Sequence, residues 1–184
     1  MSAIHTEEVN GYRIQIWPDE DVGNPRTEYD NMGHMICWHT RHNLGDEHDM
    51  DTQELKAILN QKGVIYLPLF LYDHSGITMS TGNSYPYNDQ WDAGQVGFIY
   101  ATPADIRKNF NCKKITKAIK ERALKNLQSE VEIYDLFIRG EVYGYVVHTE
   151  SCWGFYGFDW CLEDARSTAK NLPALTNIEE GAVV

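Results

Sequence analysis

Hydrophobic and polar positions along the chain predict several short strands. Tyr12 to Trp17 alternates between apolar and polar residues, as a half-buried strand does. Val64 to Tyr72 is nearly continuous apolar sequence, which is typical of a strand buried on both faces. Further strands are predicted at Ile77 to Ser80, at Gln95 to Tyr100, and as a hairpin at Val142 to His148 and Cys152 to Tyr156.

The strongest helical pattern extends from Thr116 to about Arg139. Its apolar residues recur with a period close to 3.6, and Gly140 follows as a stop signal. Shorter helices are predicted from Asp51 or Thr52 to Gln61, from Thr102-Pro103 to Asn109, and from Asp159 to about Leu172.

Strands and helices neither alternate strictly nor fall into separate halves, so the pattern indicates an α+β fold. We predict a mixed, mainly antiparallel sheet of about five strands, with the long helix and two or three shorter helices packed on it. The length of 184 residues fits a single domain over residues 1–184. Disorder is predicted only at Met1 to Val9 and in the last few residues.

Residues 18–50 form an irregular stretch rich in Gly, Asn, Asp and His. A structureless segment this long is uncommon inside a compact domain, and such segments usually carry function. This stretch is therefore the first candidate for a functional site.

Composition restricts the class of protein. No run approaches the roughly 20 apolar residues that cross a bilayer, and Met1 to Asn10 does not resemble a secretory signal. The four cysteines show no CxxC pair, which favours reduced thiols. We predict a cytoplasmic protein without membrane contacts.

Charge is distributed unevenly. The net charge of −11 makes bare duplex DNA a poor partner, because duplex binding depends on Lys and Arg. Between Pro18 and Asp51 nine acidic residues face two basic ones, whereas from Ala101 to Arg139 nine basic residues face five acidic ones. The acidic stretch is interpreted either as a solvated loop or as a surface for a basic partner. The predicted partner-binding residues are Asp19, Glu20, Asp21, Glu28, Asp30, Asp46, Glu47 and Asp49.

A group of potential zinc ligands lies in the same stretch. His34, Cys37, His39 and His42 fall within nine residues, and imidazole and thiolate are the ligands that zinc prefers. Their spacing matches no common zinc module, so the alternative is a polar loop whose histidines bond to neighbouring acids. We predict no cofactor other than zinc at these four residues.

Catalytic motifs are scarce. The sequence contains no P-loop, G-x-G-x-x-G, H-E-x-x-H or G-x-S-x-G motif. A metal-dependent hydrolase could use Asp73 and His74 together with Asp89 and Asp92. Alternatively, Asp73 to Gly76 is a turn in which Asp73 bonds to backbone amides and Gly76 has a positive φ.

Three segments carry a resemblance: Asp30 to Met35, Leu67 to Tyr87, and Cys152 to Trp160. They resemble a group of small acidic proteins encoded by phages and mobile elements of gut bacteria and Firmicutes. Some small acidic proteins of such elements inhibit Cas9-type nucleases, so the resemblance implies a type II-A anti-CRISPR. It assigns no catalytic or binding residue.

We therefore expect a binding protein rather than an enzyme. The first hypothesis is a phage-encoded inhibitor of a host defence nuclease of the Cas9 type, acting through the acidic stretch in the cytoplasm of the infected bacterium. The alternative is a metal-dependent hydrolase of nucleic acid or a nucleotide. It would use either Asp73 and His74 or the His34–His48 cluster, which consists of the four potential zinc ligands and His48. A third hypothesis is an accessory protein that binds another phage protein.

Overall fold

The computed structural model describes residues 2–82 and 93–173. The strands of these residues are β1 (His5–Val9), β2 (Tyr12–Pro18), β3 (His34–Cys37), β4 (Ile65–Asp73), β5 (Ile77–Thr81), β6 (Ala93–Ala101), β7 (Val142–Val147) and β8 (Glu150–Tyr156). The helices are α1 (Pro25–Glu28), α2 (Thr52–Leu59), α3 (Pro103–Phe110), α4 (Lys117–Ile138) and α5 (Phe158–Asn171).

The predicted α+β class and the long helix are confirmed, but the predicted single sheet is wrong. The described strands form two antiparallel sheets of four, in the orders β1-β2-β7-β8 and β3-β6-β4-β5. The sequence does not distinguish one sheet from two, because the alternation of apolar and polar residues in a strand does not identify the neighbouring strand.

Contacts within the chain define two compact units. Unit 1 combines the residues up to Val22 with those from Gly140 onward, and unit 2 comprises residues 23–139. The single domain expected for residues 1–184 remains a prediction, because compact units of one chain can unfold together or separately. Among the described residues, no helix has both the length and the apolar character to span a membrane.

Unit 1 is a four-stranded sheet covered on one face by α5. β1 and β2 form a hairpin through Asn10 and Gly11, both at positive φ (56° and 79°), as the tight turn of such a hairpin requires. The disorder predicted for Met1 to Val9 is therefore wrong over β1. The alternate residues Ile14 and Ile16 of β2 are fully buried against α5.

Unit 2 has α4 packed across its sheet, as its apolar stripe predicts. Leu127 and Val131 of α4 share one core with Leu69 of β4 and Ile99 of β6, all nearly inaccessible to solvent. The short helix α2 contributes Leu55 to a separate small cluster with Ile36 and Tyr100.

Side-chain caps account for three of the four predicted helix starts, those of α2, α3 and α4. The Asp51 carboxylate accepts hydrogen bonds from the amides of Gln53 and Glu54, and the Glu54 carboxylate accepts one from the Asp51 amide, which begins α2. Thr102 precedes Pro103 and caps α3, and Thr116 caps α4. These starts are confirmed to within one or two residues.

Residues 18–50 are more ordered than predicted, because they include α1 and β3. Arg26 on α1, with a side chain only 2% exposed, donates to both oxygens of Asp46 at 2.7 and 3.1 Å. The same guanidinium donates to Glu130 of α4 at 2.9 Å and to the carbonyl oxygen of Gly33 at 2.6 Å. Glu130 also accepts from the backbone amide of Met32 at 2.9 Å. This Arg26 network ties the segment to α4 and is the main exception to its predicted irregularity.

Candidate functional site

Two histidines and one carboxylate meet beside the end of β4. The ligand atoms of His39, His42 and Asp73 all lie within 4.8 Å of one another, and none of the three side chains is fully buried. Asp73 Oδ2 lies 3.1 Å from His42 Nε2 and 3.9 Å from His39 Nε2. We call these three residues the His–Asp cluster.

The local fold brings the cluster together from two distant parts of the sequence. Asp73 is the last residue of β4, where it pairs with Ile77 of β5. The histidines follow β3, whose hydrogen-bond ladder is extended by the Trp38 amide donating to the Val96 carbonyl at 2.8 Å. The indole of Trp38 then donates to the Met50 carbonyl at 3.2 Å, which holds the loop after β3 against the following segment.

Asp73 already has a cationic partner in the structure. Arg41 Nη2 donates to Asp73 Oδ2 at 2.7 Å, while the Arg41 side chain is 67% exposed. Partial burial lowers the pKa of His39, and the neighbouring His42 lowers it further, against the opposing effect of Asp73. A metal ion binds the neutral form of imidazole, so the lowered pKa of His39 is compatible with a role as a metal ligand.

The spacing suits a transition metal such as zinc. Tetrahedral zinc with bonds of about 2.0–2.1 Å places its ligand atoms about 3.3 Å apart. The two measured separations from Asp73 Oδ2, 3.1 and 3.9 Å, lie on either side of that value. Three protein ligands leave a fourth position for water or substrate, which is the pattern of catalytic zinc sites.

Metal binding would require one change at His39. Its Nδ1 accepts from the backbone amides of His42 at 3.2 Å and Arg41 at 3.4 Å, so the proton of the neutral ring lies on Nε2. Coordination through Nε2 moves this proton to Nδ1 and breaks both amide contacts. The metal-bound form therefore requires a small rearrangement of the turn at residues 39–42.

A cavity of about 680 Å³ opens beside the cluster. Its wall is formed by the loop after β3, the end of β4 and the beginning of β6, and it includes Cys37, Arg41, His48 and Gln95. Burial raises the pKa of the Cys37 thiol to about 12, and the nearby Asp46 carboxylate raises it too, so the sulfur stays protonated. The cavity is large enough for a small organic substrate or one nucleotide.

The four zinc ligands predicted from sequence do not all meet. His39 and His42 belong to the His–Asp cluster, whereas His34 lies at the opposite end of β3. The His34 ring, 48% exposed, stacks on Tyr100 with centroids 5.0 Å apart and lies 3.4 Å from Asp105. Three residue steps along a strand cover about 10 Å, which separates His34 from Cys37. A metal role for these two residues remains a prediction.

Asp73 to Gly76 forms the predicted turn with one difference. Gly76 has a positive φ of 148°, and the His74 amide donates to the Gly76 carbonyl. The Asp73 carboxylate, expected to bond to backbone amides, contacts Arg41 and His42 instead. His74 is exposed and is not part of the His–Asp cluster. Asp89 and Asp92 lie outside the described residues.

The eight predicted partner-binding acids have different surroundings. Asp46 is held inside the Arg26 network, and Asp30 forms an ion pair with Lys108 at 3.1 Å. Asp19 accepts from the Gly154 amide at 3.0 Å in unit 1. Asp30 is nevertheless exposed, as are Glu20 and Asp21 in unit 1, and Glu28, Glu47 and Asp49 in unit 2.

Arg41, and the pairing of Asp73 with the two histidines, were not anticipated from sequence. The interval of more than thirty residues between the histidines and Asp73 matches no spacing rule, although both halves had separately been singled out. Comparison of the chain with protein-family models, with curated proteins and with solved structures finds no match.

Proposed function

We propose that this protein is a metal-dependent hydrolase whose metal ion is bound by His39, His42 and Asp73. The observation that carries the proposal is the convergence of three metal-ligand side chains at the mouth of a 680 Å³ cavity. Two imidazoles and one carboxylate form a ligand set found in catalytic zinc and iron sites, with positions left open for water and substrate.

A metal ion at this position would supply an activated water, since zinc lowers the pKa of bound water to about 7. The residues of the chain have their own roles. Asp73 lies beside both Nε2 atoms when no metal is bound and would be the third ligand of the metal ion. The half-buried setting limits the water around the three residues. Arg41, adjacent to Asp73 and mostly exposed, is placed to hold an anionic substrate group. Because guanidinium matches the geometry of phosphate, the favoured substrates are nucleic acid or a nucleotide.

Zinc titration tests the metal site. Metal-stripped protein is expected to bind one zinc per chain by calorimetry, and Asp73→Asn should weaken this binding by at least about 100-fold. Replacing a residue that hydrogen-bonds a metal ligand lowers metal affinity about 10–100-fold, and replacing a ligand itself lowers the affinity further. Asp30→Asn is the matched control, because Asp30 is an exposed aspartate whose ion pair among the described residues is with the exposed Lys108.

Equal zinc affinity in Asp73→Asn and in the parent chain would exclude the His–Asp cluster as the metal site. The hydrolase assignment has a separate test, in which nucleotides and single-stranded oligonucleotides are incubated with zinc-loaded or manganese-loaded protein. Zinc binding without any hydrolysis would support the proposed metal site and contradict the proposed hydrolase activity.

A second candidate function is suggested by unit 1. A cavity of about 530 Å³ there is lined by Asp19, Glu20 and Asp21 together with Pro18 and Trp153. Trp153 is 49% exposed and lies flat over Gly144, whose missing side chain makes room for the indole. Carboxylates beside an indole face favour a Lys or Arg side chain of a protein partner. This supports the inhibitor hypothesis, with a Cas9-type nuclease as partner in the cytoplasm of an infected bacterium.

Charge reversal tests the inhibitor hypothesis. If the protein inhibits DNA cleavage by a Cas9–guide complex, inhibition should weaken at higher salt, and the double variant Glu20→Lys/Asp21→Lys should reduce it about tenfold or more. The double variant Glu8→Lys/Glu163→Lys makes the same charge change at exposed positions of unit 1 outside the cavity. Equal inhibition by both double variants, or no inhibition by the parent chain, would count against this partner.

A further inference from the structure

A second cavity in unit 2 is surrounded by positive charge. It has a volume of about 420 Å³, and its apolar floor includes Ile65 and Ile106, which are almost completely buried. Lys62 from the turn before β4, Arg107 from α3 and Lys120 from α4 line its rim. Three segments far apart in sequence thus each contribute one cation to a single concave surface.

These three cations lack acidic partners. Within residues 2–82 and 93–173, no ion pair involves Lys62, Arg107 or Lys120. The Arg107 guanidinium donates one hydrogen bond, to the Pro103 carbonyl at 3.2 Å, and this leaves its remaining N–H groups available. Unpaired cations around a cavity are notable in a chain with a net charge of −11.

The acids nearest in sequence to these cations have other partners: Asp105 accepts from Thr102 and lies 3.4 Å from His34, and Glu121 lies 3.9 Å from Lys117. Two acids in the second half of α4 are also paired elsewhere. Glu130 is bound by Arg26, and Asp135 accepts from the Thr78 hydroxyl, the Met79 amide and Arg139. The basic stretch noted in the sequence is therefore more strongly positive at its surface than its count of nine bases and five acids indicates.

The beginning of α4 adds to the positive field. Its first turn has no acidic residue, although the helix dipole favours acids there and disfavours bases. Lys117 and Lys120 lie within the first four residues of the helix. Cations at that end lower helix stability, and a bound anion would reverse the effect.

We infer that this cavity binds a phosphate group. Phosphate is the anion that suits one guanidinium and two ammonium groups converging on a concave surface. The phosphate could belong to a small molecule or to a nucleic-acid strand. The site is separate from the His–Asp cluster, because the two lie at opposite ends of β4, whose nine residues span roughly 27 Å.

Binding of two probes to metal-stripped protein, with the chelator removed, tests the inference. The probes are inorganic pyrophosphate, followed by calorimetry, and a fluorescent 20-residue oligothymidine, followed by anisotropy. Lys62→Gln/Lys120→Gln should weaken binding about tenfold or more, equivalent to one lost charge-assisted contact or more. Lys56→Gln/Lys170→Gln makes the same charge change at exposed positions outside the cavity and should have little effect.

The source of the phosphate follows from the comparison between probes. Tighter binding of the oligonucleotide, with a salt slope smaller by about 1.4 in the cavity variant, identifies a nucleic-acid strand. Pyrophosphate binding as tight or tighter identifies a small phosphate ligand. The inference is overturned if both double variants change probe affinity equally, or if neither probe binds the parent chain with a Kd below about 1 mM. Because no metal is present, neither result depends on the proposed hydrolase.

Discussion

Replacing Arg26 by methionine is expected to lower the free energy of unfolding of unit 2 by about 3 kcal/mol. Methionine fills most of the volume but leaves Asp46 and Glu130 without their shared cation. Removing one partner of a buried pair costs about 3–5 kcal/mol, and the lower value applies because Asp46 remains 25% exposed. Urea unfolding followed by circular dichroism measures the change.

The control for Arg26→Met is Arg13→Met, because Arg13 is exposed on β2. Arg13→Met should change the free energy of unfolding by less than about 0.5 kcal/mol. The triple variant Arg26→Met/Asp46→Asn/Glu130→Gln should regain part of the loss, since it leaves no unpaired charge. Equal effects of Arg26→Met and Arg13→Met would mean that the Arg26 network contributes nothing specific.

Gly97→Ala is expected to destabilise unit 2 by about 3 kcal/mol and to weaken metal binding at the His–Asp cluster. Gly97 lies in β6 between Cys37 of β3 and Leu69 of β4. A side chain at Gly97 would overlap the carbonyl oxygen of Ile36 and crowd the backbone of Cys37. β3 must then move away from β6, and the loop that carries His39 and His42 moves with it.

Gly94→Ala provides the matched control for Gly97→Ala. Gly94 lies in the same strand, and a side chain there meets no atom of residues 2–82 or 93–173 within 4 Å. Thermal unfolding and zinc calorimetry of both variants should show a large change in both quantities for Gly97→Ala and little change for Gly94→Ala. A Gly97→Ala protein with the parent melting temperature would contradict the close approach of β3 to β6.

Local signals explain the parts of the fold that could be predicted. The helix α4 was predictable because its apolar residues, such as Leu127 and Val131, recur on one face over six turns. Cap residues such as Asp51 and Thr116 act within four residues of the chain, so their role is readable without tertiary structure. β3 was missed because its four residues are too short for a periodic pattern and follow a glycine-rich and asparagine-rich stretch.

The candidate site was only half predictable because its parts come together through long-range pairing. Residue type alone indicated His39 and His42 as candidate metal ligands. Asp73 joins them only because β6 pairs with both β3 and β4, an arrangement that no local pattern specifies. Asp46 shows a second limit of sequence patterns. Its place in an acidic stretch indicates a solvated surface, whereas in the structure it pairs with the buried Arg26.

Unit 1 draws its strands from two parts of the chain separated by all of unit 2, and this has a consequence for synthesis on the ribosome. At about 5–20 residues per second, β1 and β2 wait roughly 6 to 24 s before β7 emerges beside them. An isolated two-stranded hairpin is marginally stable at best, so Ile14 and Ile16 stay exposed during this interval. Unit 2 meanwhile has its complete sheet available. A nascent chain that has emerged from the ribosome as far as Arg139 but not to Val142 would therefore have a folded unit 2 and an unpaired first hairpin, which chaperones and proteases can reach.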